Sequence, residues 1–180
     1  SDINMNNGFH LSPTNHDTLG NALQVYEIAS DDAGEGRPAF MGEKLAVYPV
    51  QSEVTSLDNY ITNFVWGGLQ RKTNESSSYA IYGVPDWHTF RTNGTTSFGR
   101  GYDYPHIAVM YYGMYKVAKD HPEISTYLPA NEYLRRAYGT ARACWTFGGG
   151  QATHVGLMNE TIISDLLNDL HNAGMLTEES

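Results

Sequence analysis

The 180-residue chain is 41% hydrophobic and 17% charged, which suits one folded domain with a real core and excludes a disordered chain. Its formal net charge is −9 and it has no Lys/Arg run, which argues against nucleic acid or an anionic membrane as partner, because phosphate binding needs concentrated positive charge. The single cysteine, Cys144, excludes an internal disulfide framework and a Cys-based zinc site, and no window approaches the roughly 20 apolar residues of a membrane span.

In chain order, residues 1–50 read as an irregular N-terminal segment. Asn, Gly, Ser and Asp dominate residues 1–21, and residues 30–38 read as a turn-rich loop. Alternating stretches at 23–28 and 44–48 predict short strands. From residue 51 onward the chain is predicted mainly α. Val54, Leu57, Tyr60, Ile61, Phe64 and Val65 follow helical spacing, with Ser52 or Thr55 as cap and Gly67-Gly68 as stop. Residues 72–78 form a polar loop.

Two aromatic and acidic elements come next, Tyr82-Gly83-Val84-Pro85-Asp86-Trp87 and Gly99-Arg100-Gly101-Tyr102-Asp103-Tyr104-Pro105-His106. Pro105 suits the first turn of a helix reaching about residue 120, apolar on nearly every face and therefore buried. His121-Pro122 ends it. A further helix starts near Pro129, with Ala130, Tyr133, Leu134, Ala137, Tyr138, Ala141 and Trp145 in one apolar stripe. Glu132, Arg135, Arg136 and Arg142 lie mostly off that stripe, and Gly148-Gly149-Gly150 closes it. The last long helix spans about residues 159–172, with Ile162, Ile163, Leu166, Leu167 and Leu170 on one face and Gly174 as stop. Residues 177–180 read as the capped start of another helix. Long, Gly-rich and aromatic-rich loops separate these helices, unlike the short connections of an up-down bundle.

Tyr102-Asp103-Tyr104-Pro105-His106-Ile107-Ala108, Met114-Tyr115-Lys116-Val117-Ala118-Lys119 and Tyr133-Leu134-Arg135-Arg136-Ala137-Tyr138-Gly139-Thr140-Ala141 together carry a family resemblance. Trp66-Gly67-Gly68-Leu69-Gln70, the element at 82–87 and Gly156-Leu157-Met158-Asn159-Glu160 fit the same pattern. Over roughly residues 38–180 the chain resembles large secreted bacterial and fungal proteins of unknown function that look like α/α-toroid (six-hairpin) glycosidases. The resemblance implies a ring of helical hairpins with a ligand cleft at one mouth. It also implies carbohydrate chemistry, secretion, and a parent chain longer than this one, of which these residues would form part of the ring.

Glycoside hydrolysis needs two carboxylates across the scissile bond, one protonated as acid and one ionised as base or nucleophile. Asp86, Asp103 and Glu160 are the candidates, each at a loop–helix junction beside aromatics or glycine, with Glu53 as a fourth. Asp86, flanked by Pro85 and Trp87, is the first choice for acid, since an apolar ring beside a carboxyl raises its pKa. Asp103 and Glu160 have a second reading, in which they only complement helix N-termini. Trp66, Tyr82 and Trp87 are the candidate stacking rings, set against a role in core packing. Arg100 and His106 are candidate hydroxyl binders, with ion pairing and structural hydrogen bonding as their plainer alternatives.

Asn74, Asn93 and Asn159 each begin an N-x-S/T sequon and are candidate glycosylation sites of a secreted protein. The seven histidines show no H-E-x-x-H or comparable spacing, so no metal and no cofactor is expected. No G-x-S-x-G elbow occurs. The sequence thus points to a carbohydrate-active protein, a glycoside hydrolase first, with a non-catalytic carbohydrate-binding module or a structural helical repeat as alternatives.

Overall fold

A computed structural model describes residues 36–73, 76–81, 101, 103–149, 159 and 161–175. Within them the chain is mainly helical: α1 (Gly36–Val47), α2 (Gln51–Tyr60), α3 (Asp103–Asp120), α4 (Ala130–Phe147) and α5 (Ile162–Asn172). A π-helical turn, Ile61–Val65, extends α2. No strand occurs among the described residues, only isolated bridges pairing Gln70 with Trp66 and with Ile81.

The central element is α3. Every residue from Asp103 to Tyr115 is buried, as expected of a helix apolar on nearly all sides. Its most extensive neighbours are α1 and α4, and α5 packs in turn on α4. Cys144 near the end of α4 directs its thiol to the Gly101 carbonyl just before α3, at 3.6 Å, so α3 and α4 form an antiparallel hairpin. Asn159 ahead of α5 meets His106 in the first turn of α3, and Asp169 late in α5 meets Lys119 late in α3. These contacts make α5 parallel to α3. Asp58 of α2, fully buried, accepts hydrogen bonds from the Tyr133 hydroxyl and from the Tyr127 backbone N–H, tying α2 to the α3–α4 connection.

Two expectations are overturned. On α4, Trp145, expected in the apolar stripe, is 59% exposed, while Arg136, expected off it, is buried, because the helix turns Arg136 and Thr140 toward Trp66 and Gln70. Residues 44–48, expected as a short strand in an irregular segment, instead contain the last turn of α1 and the bend after it. The 3.6-residue period puts Pro38, Ala39, Gly42 and Leu45 against α3 and leaves Val47 and Tyr48 outside. Proline is tolerated in a first helical turn, and Gly42 serves a close crossing rather than a break. A Cβ on Gly113 of α3 would come within 2.3 Å of the Gly42 carbonyl carbon and oxygen, so the two backbones meet with no side chain between them. The other expected strand, at 23–28, lies outside the described residues.

Candidate functional site

The π-helical turn sets up the site. The N–H groups of Trp66, Leu69 and Gln70 bond back to Ile61, Phe64 and Val65 carbonyls five residues earlier, at 2.8, 2.9 and 2.8 Å. Such turns insert a residue into a helix and are frequent at functional sites. Here the turn releases Trp66 into extended backbone and points Gln70 into the core, where it is fully buried.

Gln70 uses its whole amide. Its Nε2 donates to the Thr140 hydroxyl at 2.6 Å and to the Tyr79 carbonyl at 3.0 Å, while its Oε1 accepts from the Tyr111 hydroxyl at 3.0 Å. Burial lifts the Tyr111 hydroxyl well above the ordinary tyrosine range, against the opposing pull of Arg136, so it remains a neutral donor. Arg136, only 7% exposed, lies over the Trp66 ring at 3.9 Å and donates to Glu132 at 2.9 Å. A buried cation is thus compensated by a carboxylate and an aromatic face.

This rigid base carries a strapped loop. Arg71 and Ala80 pair by backbone at 2.9 Å, Tyr79 N–H reaches the Arg71 carbonyl at 3.1 Å, and the Ser78 hydroxyl donates to the Thr73 carbonyl at 3.1 Å. Ser77 and Tyr79 both hold left-handed backbone, at φ 63° and 64°. Each such residue costs about 1–3 kcal/mol and persists only where its surroundings over-determine it, most often at functional sites. The Tyr79 ring explains the arrangement: it lies on Gly139 of α4 and 5.7 Å from the Trp66 ring.

Between this loop and the outer face of α4 is a cleft of about 500 Å³. The loop supplies Ser77, Ser78 and Tyr79; α4 supplies Arg135, Tyr138, Arg142 and Phe147. Positions 135, 138 and 142 share one helix face by their spacing. The cleft is large enough for a small molecule and mixes ring faces with hydroxyls and cations. Among the described residues no carboxylate lines it. Sequence reasoning did not single out this cleft. Its available signal was a pair of arginines seven residues apart on one helix, with a tyrosine between them, in an acidic chain.

Of the sequence-predicted residues, Trp66 is half-buried and braces Tyr79 and Arg136 behind the cleft. Asp103 is 1% exposed in the first turn of α3, where the helix dipole favours its charge. Burial, and then the nearby Asp103 charge, pushes the Cys144 thiol up to about 12. His106 is 5% exposed, with its Nδ1 3.3 Å from Asn159 Nδ2, the atom a sequon glycan would occupy. Glu53 is ion-paired with Lys44 of α1. Asp86, Glu160, Tyr82, Trp87, Arg100, Asn74 and Asn93 lie outside the described residues. No three His, Cys, Asp or Glu gather as a metal site among the described residues, and no described helix is long and apolar enough to cross a membrane.

The model of a family of unknown function, DUF5695, matches residues 28–180, a span that contains all five helices and the cleft. The chain belongs to that family. No curated protein and no solved structure matches it. For this DUF5695 member the local geometry therefore carries the functional argument.

Proposed function

We propose that this DUF5695 chain is carbohydrate-active and that the cleft on the outer face of α4 binds sugar. The observation that carries the reading is the walling of a roughly 500 Å³ cleft by the rings of Tyr79, Tyr138 and Phe147 beside two arginines. Aromatic faces complement the apolar faces of sugar rings, while arginine donors and the Ser77 hydroxyl fix hydroxyl directions. The strained Ser77–Tyr79 backbone supports it, since strain is kept where it places a functional group. In this reading the α3–α4 hairpin is one unit of an α/α toroid belonging to a longer, secreted parent chain.

Calorimetric titration of neutral and acidic oligosaccharides into the chain tests the reading. Tyr138→Ala should weaken the best ligand about tenfold, the loss of one stacking wall. Binding by no oligosaccharide, together with no rise in melting temperature, would leave the structural-repeat reading in its place.

Glycoside hydrolysis through Asp86, Asp103 and Glu160 is the second reading. It is favoured by Asp103, a carboxylate held in the interior at a loop–helix junction, with Asp86 and Arg100 in the sequence leading up to it. Asp86→Asn and Glu160→Gln should abolish turnover of a bound glycan while leaving its affinity in place. Unchanged turnover in both would remove Asp86 and Glu160 from catalysis.

A further inference from the structure

We infer that the cleft is selective for a saccharide carrying an anionic substituent, a carboxylate or a sulfate, held by Arg142 and Arg135. This rests on the carbohydrate-binding reading of the same cleft and adds the class of sugar.

The chain has 20 acidic residues against 11 Lys and Arg, yet the cleft lining places two arginines and no acid, among the described residues, around one opening. Glu132 offsets Arg135, so among the described residues the uncompensated charge at this opening is the cation of Arg142, opposite in sign to the net charge of the chain. A neutral glycan does not need such an inversion, whereas an anionic group gains from it.

The two arginines also differ usefully. Glu132 takes a hydrogen bond from Arg135 at 2.9 Å, which fixes that guanidinium in the cleft lining. Arg142, one face-repeat further along α4, is exposed and makes no ion pair with any described residue. Its planar fork matches the paired oxygens of a carboxylate or a sulfate. Ser77, Ser78 and Thr146 line the same cleft with hydroxyls suited to the neutral part of the sugar.

The test is calorimetric titration of the full chain with three tetrasaccharides of similar size: a neutral galactan, a galacturonate and a heparin-derived sulfated fragment. Wild type should bind at least one acidic probe about tenfold or more tightly than the neutral one, with the difference shrinking as salt rises. Preference for galacturonate assigns a carboxylate, and preference for the sulfated probe assigns a sulfate. Arg142→Gln should weaken the acidic probe about tenfold and leave the neutral one within about twofold, while Arg142→Lys should restore only part of the loss. Since Arg142 is exposed, an unchanged melting temperature verifies that the variants fold. Neutral and acidic probes binding equally, or Arg142→Gln weakening both alike, overturns the inference while carbohydrate binding stands. Binding of none of the three overturns both.

Discussion

Gly139→Ala separates the cleft from the fold that carries it. Gly139 lies in the middle of α4, and a Cβ there would come within 2.5 Å of Cε2 and 2.6 Å of Cδ2 and Cζ of the Tyr79 ring. Carbon pairs prefer about 3.5–4.0 Å, so the ring must retreat by about 1 Å or more. The obstacle is the far end of a side chain rather than backbone, so the helix itself need not move. Alanine gains about 1 kcal/mol over glycine in a helix interior. Disturbing the Tyr79–Trp66 contact, now at 5.7 Å, loses about 0.5–1.5 kcal/mol. The two nearly cancel, leaving stability within about 1 kcal/mol of wild type and the melting temperature within about 4 °C for a chain of this size. Binding does not share that compensation, because Tyr79 is a wall of the cleft. Its displacement should cost about 1.4 kcal/mol of affinity, roughly tenfold in Kd. Thermal unfolding and calorimetric titration on the same preparation read both quantities. Affinity kept within about twofold, or a melting temperature lowered by more than about 10 °C, would refute the assignment of Tyr79 to the cleft rather than to the core.

Four further substitutions, at three positions, probe the scaffold. Gly113→Ala drives a methyl within 2.3 Å of the Gly42 backbone, which cannot yield locally, so α1 must lift off α3; the net cost is about 2 kcal/mol or more, read as a fall of about 4–8 °C in thermal unfolding. Gly42→Ala meets the Met110 backbone at a gentler 3.0–3.4 Å and should fall by less, so equal stability of the two variants would show that glycine does not set this crossing. Burial raises the Asp58 pKa, against the lowering effect of bonds from Tyr133 and from the Tyr127 backbone. The stability it contributes is therefore fully present below its unfolded value near 3.9 and is lost as pH rises through the higher folded value. Asp58→Asn, which stays neutral, should gain on wild type in chemical denaturation as pH goes from 4 to 7; a loss over that interval would reverse the assignment. Asp58→Ala leaves the Tyr133 hydroxyl and Tyr127 N–H without their acceptor and should cost about 2–4 kcal/mol at either pH.

Read alone, the sequence located four of the five described helices and most of their apolar faces. Periodicity is a local property: Val54 to Val65, Ile107 to Val117, Tyr133 to Ala137 and Leu166 to Leu170 announce their burial through spacing alone, whereas the burial of Arg136 and Thr140 and the exposure of Trp145 depend on what α4 packs against. The helix Gly36–Val47 escaped because its face toward α3 is written with Pro38, Ala39 and Gly42, residues that read as a break until a partner backbone is seen against them. Residue roles were legible only as alternatives. Trp66 and Asp103 could each have faced solvent or core, and burial is decided by neighbours remote in sequence: Arg136 for one, Cys144 for the other. The cleft lay furthest from view. It joins a loop at 77–79 to a helix face at 135–147, and the union depends on a π-helical turn at Ile61–Val65 and on one missing side chain at Gly139. Spacing along a chain encodes what one helix buries; it does not encode which loop comes to rest on that helix, because that is settled by packing between segments some 60 residues apart.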